Sequence, residues 1–497
     1  MPADLDEMFA TLSRQADGIP LAGAEQARQR GRQRRARSRV ALAAAAVVLV
    51  AVGTGLAVGR PHPEPEPLLP ATEPARIRGL APVGEPLRVA EGRMWNNTRI
   101  AGDRVIGFSA DGNGGHETVA LDARTGAVLW RLTGAGGYYL GVATTPKVVI
   151  LVRQPETQSG TLTDPPGRFL EFHDAVTGAK TWELPDTGPD QFVLYQDVLV
   201  RLVGPTLALE GYDLVSGRKL WTSPAGFVPD DDSQGSPPER TISGMGTGAN
   251  SDGGTGSALF APEYADAVPF TDDRLVDMGR SGEITIRDIR TGEARSTMPG
   301  RPGSESLFAY EGTVYTVVRG ADGALAGIAT ADRVVYRNEK PWYFESHFPC
   351  GRERLCVIEN DSNATPEQPV ARLLLIDAKT GTVIRTTGAV PRYGDDSFRL
   401  GHVLTSSGGE KATTLYDENG QARYSDQGVG GFVDDGNVLT MTQNAGDRHF
   451  KVRGISNVDF QKVELGQIPE ISGRCDWDEQ ILTCPTGREL WIWRFDR

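Results

Sequence analysis

At 497 residues the chain is long enough for one large repeat ring or for two to three ordinary domains. A formal net charge of −13, from 65 acidic and 52 basic residues, excludes general nucleic-acid binding by the bulk of the protein. Its 60 glycines and 32 prolines are dispersed along the chain, as turn-rich β architecture requires.

In chain order, residues 1–39 form a tail that is polar and rich in arginine near its end. Within it Leu5, Met8, Phe9 and Leu12 share one helical face, so residues 5–16 form a short amphipathic helix that docks a partner or lies on a membrane. Seven arginines follow between Arg28 and Arg39. Residues 40–58 carry no charge and are long enough to span a bilayer as a helix. Positive charge before the span and the acidic, proline-rich run after Arg60 put the N-terminus in the cytoplasm and the rest outside. A cleaved signal peptide is the rival reading, with Gly55-Leu56-Ala57 as a poor cleavage site. The 39 preceding residues and the length of the apolar run favour an uncleaved anchor. The lipid bilayer is thus a partner through 40–58. Residues 59–84 read as a stiff extended linker at ~3.1 Å per residue.

From residue 85 onward one pattern recurs: a hydrophobic strand, Asp-x-x-Thr/Ser-Gly, then Trp four residues after the Gly. Strong copies hold Asp122, Gly126 and Trp130; Asp174, Gly178 and Trp182; and Asp213, Gly217 and Trp221. Weaker copies hold Asp288 and Gly292, Asp377 and Gly381, and Asp417. Asp caps a tight turn, Gly supplies a positive φ, and Trp offers an apolar face to the next unit. Asp122 to Asp174 is 52 residues, Asp174 to Asp213 is 39, and Asp377 to Asp417 is 40. Asp288 to Asp377 is 89, two periods with a degenerate copy near Asp332; further degenerate copies fall at Ser456 and at the C-terminus. Short β-branched strands at 148–152, 198–203, 314–318 and 437–442 lie between the anchors. A period of about 40–50 residues is that of a four-stranded propeller blade, and a β-sandwich gives no reason for one motif to recur at one phase.

The motif resembles the repeat of PQQ-type β-propellers, over roughly residues 92–497. The resemblance implies an all-β propeller of four-stranded blades. Nine phases are countable, the last stopping after its third strand; the resemblance favours eight blades, with seven and nine open. Residues 85–91 are the expected closing strand. Asp213 to Asp288 is 75 residues, so 227–260 reads as a flexible insertion thrown out from a blade.

The four cysteines form two local pairs, Cys350/Cys356 and Cys475/Cys484, each flanking a turn between first and second strands. Disulfides are expected, in keeping with an extracytoplasmic location; neither pair has the spacing of a usual zinc clip.

Motifs for chemistry fail on context. Gly244 to Ala249 fits a loose GxGxxA without a following helix, Ser216 to Lys219 spells SxxK inside a repeat turn, and Asp111 opens a glycine-rich hairpin turn. Asp230, Asp231 and Asp232 read as a solvated acidic loop, and the six histidines are scattered, His173 being structural. Quinoprotein dehydrogenases, which are similar in repeat, use adjacent cysteines and axial Glu, Asn and Asp ligands. This chain has no adjacent cysteines, so no catalytic, cofactor or metal residue is carried over and no cofactor is expected. The reading is a membrane-anchored, extracytoplasmic, non-catalytic binding module, whose loops take an unidentified protein or small ligand. The alternative is a divergent quinone-dependent oxidoreductase of the cell envelope.

Overall fold

The structure, a computed structural model, describes residues 75–497 apart from connecting stretches, the longest being 155–167, 225–239, 252–271, 364–370 and 388–395. The amphipathic segment, the apolar run at 40–58 and residues 59–74 of the linker lie outside the described residues. No helix among the described residues is long and apolar enough to cross a membrane.

Val148–Gln154 shows why these residues form buried strands. Side chains alternate across a strand. Val149 and Leu151 enter a layer with Ile106, Phe108, Ala120 and Trp130 of the preceding sheet. Val148, Ile150 and Val152 enter the opposite layer, with Phe192, Leu194 and Leu199 of the following sheet. A strand covered on both faces reads as an unbroken apolar run, as this one does. Each fully buried Val, Leu or Ile contributes about 1.5–3 kcal/mol. The core is therefore a series of layers between successive sheets.

Nine four-stranded antiparallel blades follow one another along the chain. Blades 1 to 3 span residues 97–134, 138–186 and 191–223. Blade 4 joins Thr241–Gly246 to 274–298, and blades 5 to 8 span 304–337, 342–387, 396–427 and 429–469. Blade 9 takes three strands from 476–496 and its outermost, Gly79–Pro82, from the start of the described chain. Nine blades correct the expected eight: all the countable phases are real, including the degenerate ones. The ring closes where Asn97 of blade 1 bridges Arg474, and where Val105, Val119 and Leu121 pack with Ile481, Leu490 and Ile492.

Two further expectations are corrected. The closing strand is chiefly Gly79–Pro82, running antiparallel from Gly79 opposite Asp496 to Pro82 opposite Trp493. Only Leu87 and Arg88 of the expected segment pair, with Leu490 and Glu489. The linker therefore ends earlier than expected. Second, the stretch 227–260 contains the innermost strand of blade 4. Thr241–Gly246 pairs with Arg274–Met278, and Ile242 is only 2% exposed, in one layer with Val200, Leu202 and Leu275. The sequence TISGMG hides this strand because its glycines break the β-branched pattern.

Alternating strand direction gives the ring two ends. Turns between first and second and between third and fourth strands gather at one, the turn face. Links between second and third strands and from blade to blade leave from the other, the loop face. The strand ends that bound 155–167, 225–239, 364–370 and 388–395 all lie on the loop face. The described chain comes in at the turn face, beside Asp496.

Candidate interaction surface

The repeat residues occupy the turn face. Asp122 Oδ1 accepts hydrogen bonds from the amides of Arg124 at 3.0 Å and Thr125 at 2.9 Å, and from the Thr125 hydroxyl at 2.9 Å. Asp174 and Asp213 repeat this with Thr177 and Ser216, and Asp288 and Asp377 accept the two amides that follow them in their own turns. Thr125 holds the Asp122 carboxyl below its ordinary range, and Ser216 does so for Asp213. At Asp174 burial pushes upward, but the bonds from Thr177 and Val176 outweigh it.

Each strong-copy Trp belongs to one blade and docks on the next. Trp130, Trp182 and Trp221 donate their indole N–H, each at 3.0 Å, to the carbonyls of Ala175, Leu214 and Ile289. Those carbonyls follow the turn Asp of the neighbouring blade, and the rings lie over its turn glycine. A Cβ on Gly178, Gly217 or Gly292 would meet the Trp ring at 2.8, 2.4 or 2.6 Å. The φ angles there are +73°, +70° and +72°, so glycine is required twice over. These residues tie blade to blade and leave the turns engaged in architecture.

The cysteines join as expected, Cys350 to Cys356 and Cys475 to Cys484, with Cα–Cα distances of 5.6 and 4.2 Å. Asp111 accepts from the Gly115 amide and pairs with Arg93 at 3.0 Å, as a hairpin turn does. His173 Nδ1 lies 3.0 Å from the Gly178 carbonyl. Gly244 sits in a strand, and Asp230 to Asp232 lie outside the described residues. Among the described residues, no three His, Cys, Asp or Glu side chains form a group that could hold a metal.

Sequence reasoning missed a polar cluster between blades 1 and 2, because its members are far apart in the chain and belong to no motif. His116 is buried, packs on Gly134, and lies 3.7 Å from Tyr139 between ring centroids. Arg153 and Lys180 hydrogen-bond Glu171 Oε1 at 2.7 and 3.2 Å. Burial pushes Glu171 up, but His173, Arg153 and Lys180 outweigh it and lower it to about 2. Burial lowers His116 to about 4, and burial with the Glu171 charge raises Tyr139 to about 12. Glu171 thus gathers Tyr139, Arg153 and Lys180 around one carboxylate beside the His116 ring, which makes the cluster a polar seam between blades.

Exposed apolar side chains occur at both ends of the ring: Val128, Leu129, Val176, Val383, Ile384 and Val458 lie at separate third-to-fourth-strand turns on the turn face, and a second set lies on the loop face. Met94 (59% exposed), Tyr138 (43%), Leu140 and Val429 stand at the loop-face ends of the first strands of blades 1, 2 and 8. Blade 9 lies between blades 8 and 1, so these residues follow an arc around one side of the loop face.

No family model matches the chain, and no curated protein matches it significantly. Among solved structures, it is similar to BamB from Moraxella catarrhalis at 12% identity and a TM-score of 0.40, over 84% of this chain and 100% of that one. It is also similar to the computationally designed Ika8 protein at 12% identity and a TM-score of 0.41, over 84% and 100%. KlHsv2 with loop 6CD replaced by a Gly-Ser linker gives 9% identity and 0.38, over 68% and 99%.

Proposed function

We propose that the chain is a single-pass membrane protein whose PQQ-like propeller stands outside the cytoplasm as a non-catalytic protein-binding module. The observation that carries the reading is the division of labour between the two ends of the ring. The turn face is engaged in holding blades together and receives the incoming chain. The loop face carries four of the five longest connections, 252–271 alone leaving from the turn face, and the apolar arc of Met94, Tyr138, Leu140 and Val429, as a rigid scaffold presenting loops for recognition would. Two disulfides fit an oxidising compartment, and the arginines before residue 40 set the orientation.

Two measurements test it. Protease added to intact spheroplasts should remove the propeller and spare the cytoplasmic tail; a protected propeller overturns the topology. Photo-crosslinking residues placed at Tyr138 and Leu140 should capture a membrane or envelope protein from cells, whereas probes at Thr125 and Thr177 should not. Equal capture from both faces overturns the assignment of the binding face.

A further inference from the structure

The first strand of each blade lines the ring axis. One of its edges pairs with the second strand, and the other edge is the open end of the sheet. Such edges need closing. Side chains of neighbouring blades close several of them. Asp476 accepts from the Ile100 amide at 2.7 Å, and Thr144 donates to the Ile100 carbonyl at 3.3 Å. Gln191 likewise takes the Ile242 amide at 3.2 Å and donates to the Arg240 carbonyl at 3.4 Å.

Blade 7 is closed differently. Its first strand, Asp396–Arg399, pairs on one edge with His402–Ser406. On the other edge it receives Asn250–Ser251 in antiparallel register, Asn250 opposite Arg399 and Ser251 opposite Phe398. The same chain has just left blade 4 by pairing Met245 and Gly246 in parallel with Ala309 and Tyr310 of blade 5. Four residue steps separate Gly246 from Asn250 and span at most about 14 Å. The chain thus lays its own backbone along the inner edges of two blades at the turn-face end of the axis.

The geometry points to a self-occupied strand-acceptor site: the inner edge of Asp396–Arg399 accepts an extended polypeptide segment, and Asn250–Ser251 fills it until a partner's strand displaces it. The built-in occupant is short, with two paired residues. It is also composed of poor strand formers, lying in the run TGANSDGGTG at 247–256. A partner segment rich in Val, Ile or Thr would hold the same edge better, since main-chain bonds give affinity in strand addition and alternate side chains give selectivity. This extends the binding-module reading to the shape of one partner segment, and it is read out separately from capture at the loop face.

The test uses the full chain and labelled peptides. One peptide copies residues 245–254, and a second carries valine at the positions of Asn250 and Ser251. Replacing both residues by proline in the protein (Asn250→Pro with Ser251→Pro) should speed hydrogen exchange of the Phe398 amide at least tenfold, while the Arg399 amide, which faces His402 across the hairpin, should change little. It should also strengthen binding of the first peptide at least tenfold over the native chain, with the valine peptide binding tighter still. Unchanged exchange, or equal binding to native and variant proteins, overturns the proposal. A second variant, Asn250→Cys with Arg399→Cys, guards against misfolding of the first. It should form a disulfide and bind neither peptide; failure to form the bond in exported protein also overturns the proposal.

Discussion

A single glycine shows how closely side chain and backbone are matched. Gly217 combines a φ of +70° with a Trp182 ring where a Cβ would stand. Gly217→Ala should therefore cost at least about 2 kcal/mol, from left-handed strain of order 1–3 kcal/mol plus the displaced ring. Trp182→Ala should cost roughly 3–5 kcal/mol, and the two costs should not add, because both act on one contact. Denaturant unfolding of the two single variants and the double variant measures this; simple additivity would refute the docking role of the pair. His116 makes a second test. Burial lowers its folded pKa to about 4 from an ordinary 6.5, so folding favours the neutral ring. Its contribution is present in full above about pH 6.5 and is lost as the pH falls from 6.5 towards 4, because the unfolded chain binds the proton first. His347, lowered to about 4 by burial alone, adds to the same window. Glu171, held near 2, acts in the next: its stabilisation is present above about pH 4.5 and is lost as the pH falls towards 2. Melting temperature against pH should fall less steeply between 6.5 and 4 in His116→Gln, the remaining slope there including that of His347, and keep the native slope below.

At the scale of strands and turns, the repeat was legible wherever Asp, Gly and Trp coincide, and obscure wherever other residues do the same work. Between blades 5 and 6, Arg333 donates to the Ala378 carbonyl at 2.9 Å, the position an indole takes elsewhere. Between blades 6 and 7, Arg354 donates to the Glu418 carbonyl at 2.6 Å. Between blades 8 and 9 the direction reverses, with Trp477 donating to the Phe432 carbonyl at 3.0 Å while its ring covers Gly431. In blade 8 the turn glycine is replaced by Phe460 at φ +60°, and Ser456 replaces the aspartate. A hydrogen bond to one carbonyl is what the geometry demands, and several side chains can supply it; this is why phases 5, 8 and 9 looked doubtful. The polar seam of His116, Tyr139 and Glu171 had no sequence signal, since it depends on which blades become neighbours. Thr241–Gly246 was hidden for the opposite reason, its burial resting on one side chain. Ile242→Ala should cost about 2–5 kcal/mol, as for a core isoleucine, where a loop residue would cost almost nothing. Thermal unfolding decides between them.

For the whole molecule, closure is the decisive device, since a ring removes the edges that open sheets expose. The incoming chain is stitched down before its strand begins. Arg76 pairs with Asp459, and the Ile77 amide bonds Asn437 at 3.2 Å. Arg497 donates to the Ala75 carbonyl at 2.8 Å, to Asp434 at 2.6 Å and to the Glu479 carbonyl at 2.6 Å. Arg497→Ala should lower the melting temperature and expose the Gly79–Pro82 strand to proteolysis before any other. Uniform cleavage around the ring would contradict that order. Reducing both disulfides should cost about 2–3 kcal/mol each by loop entropy, because each closes a short loop.

The strand that seals the ring is also the point where force would arrive. A pull applied at Ala75 along the direction of Gly79–Pro82 would load that strand in shear, across its hydrogen bonds with Glu489–Asp496. Bonds loaded in shear rupture together rather than one by one, so the seam is mechanically stiffest along the strand. Peeling from the other end, through Leu87 and Arg88, meets only two paired residues. Force spectroscopy with handles at Ala75 or at Glu91 should separate the two modes by their rupture forces, the higher belonging to shear of Gly79–Pro82.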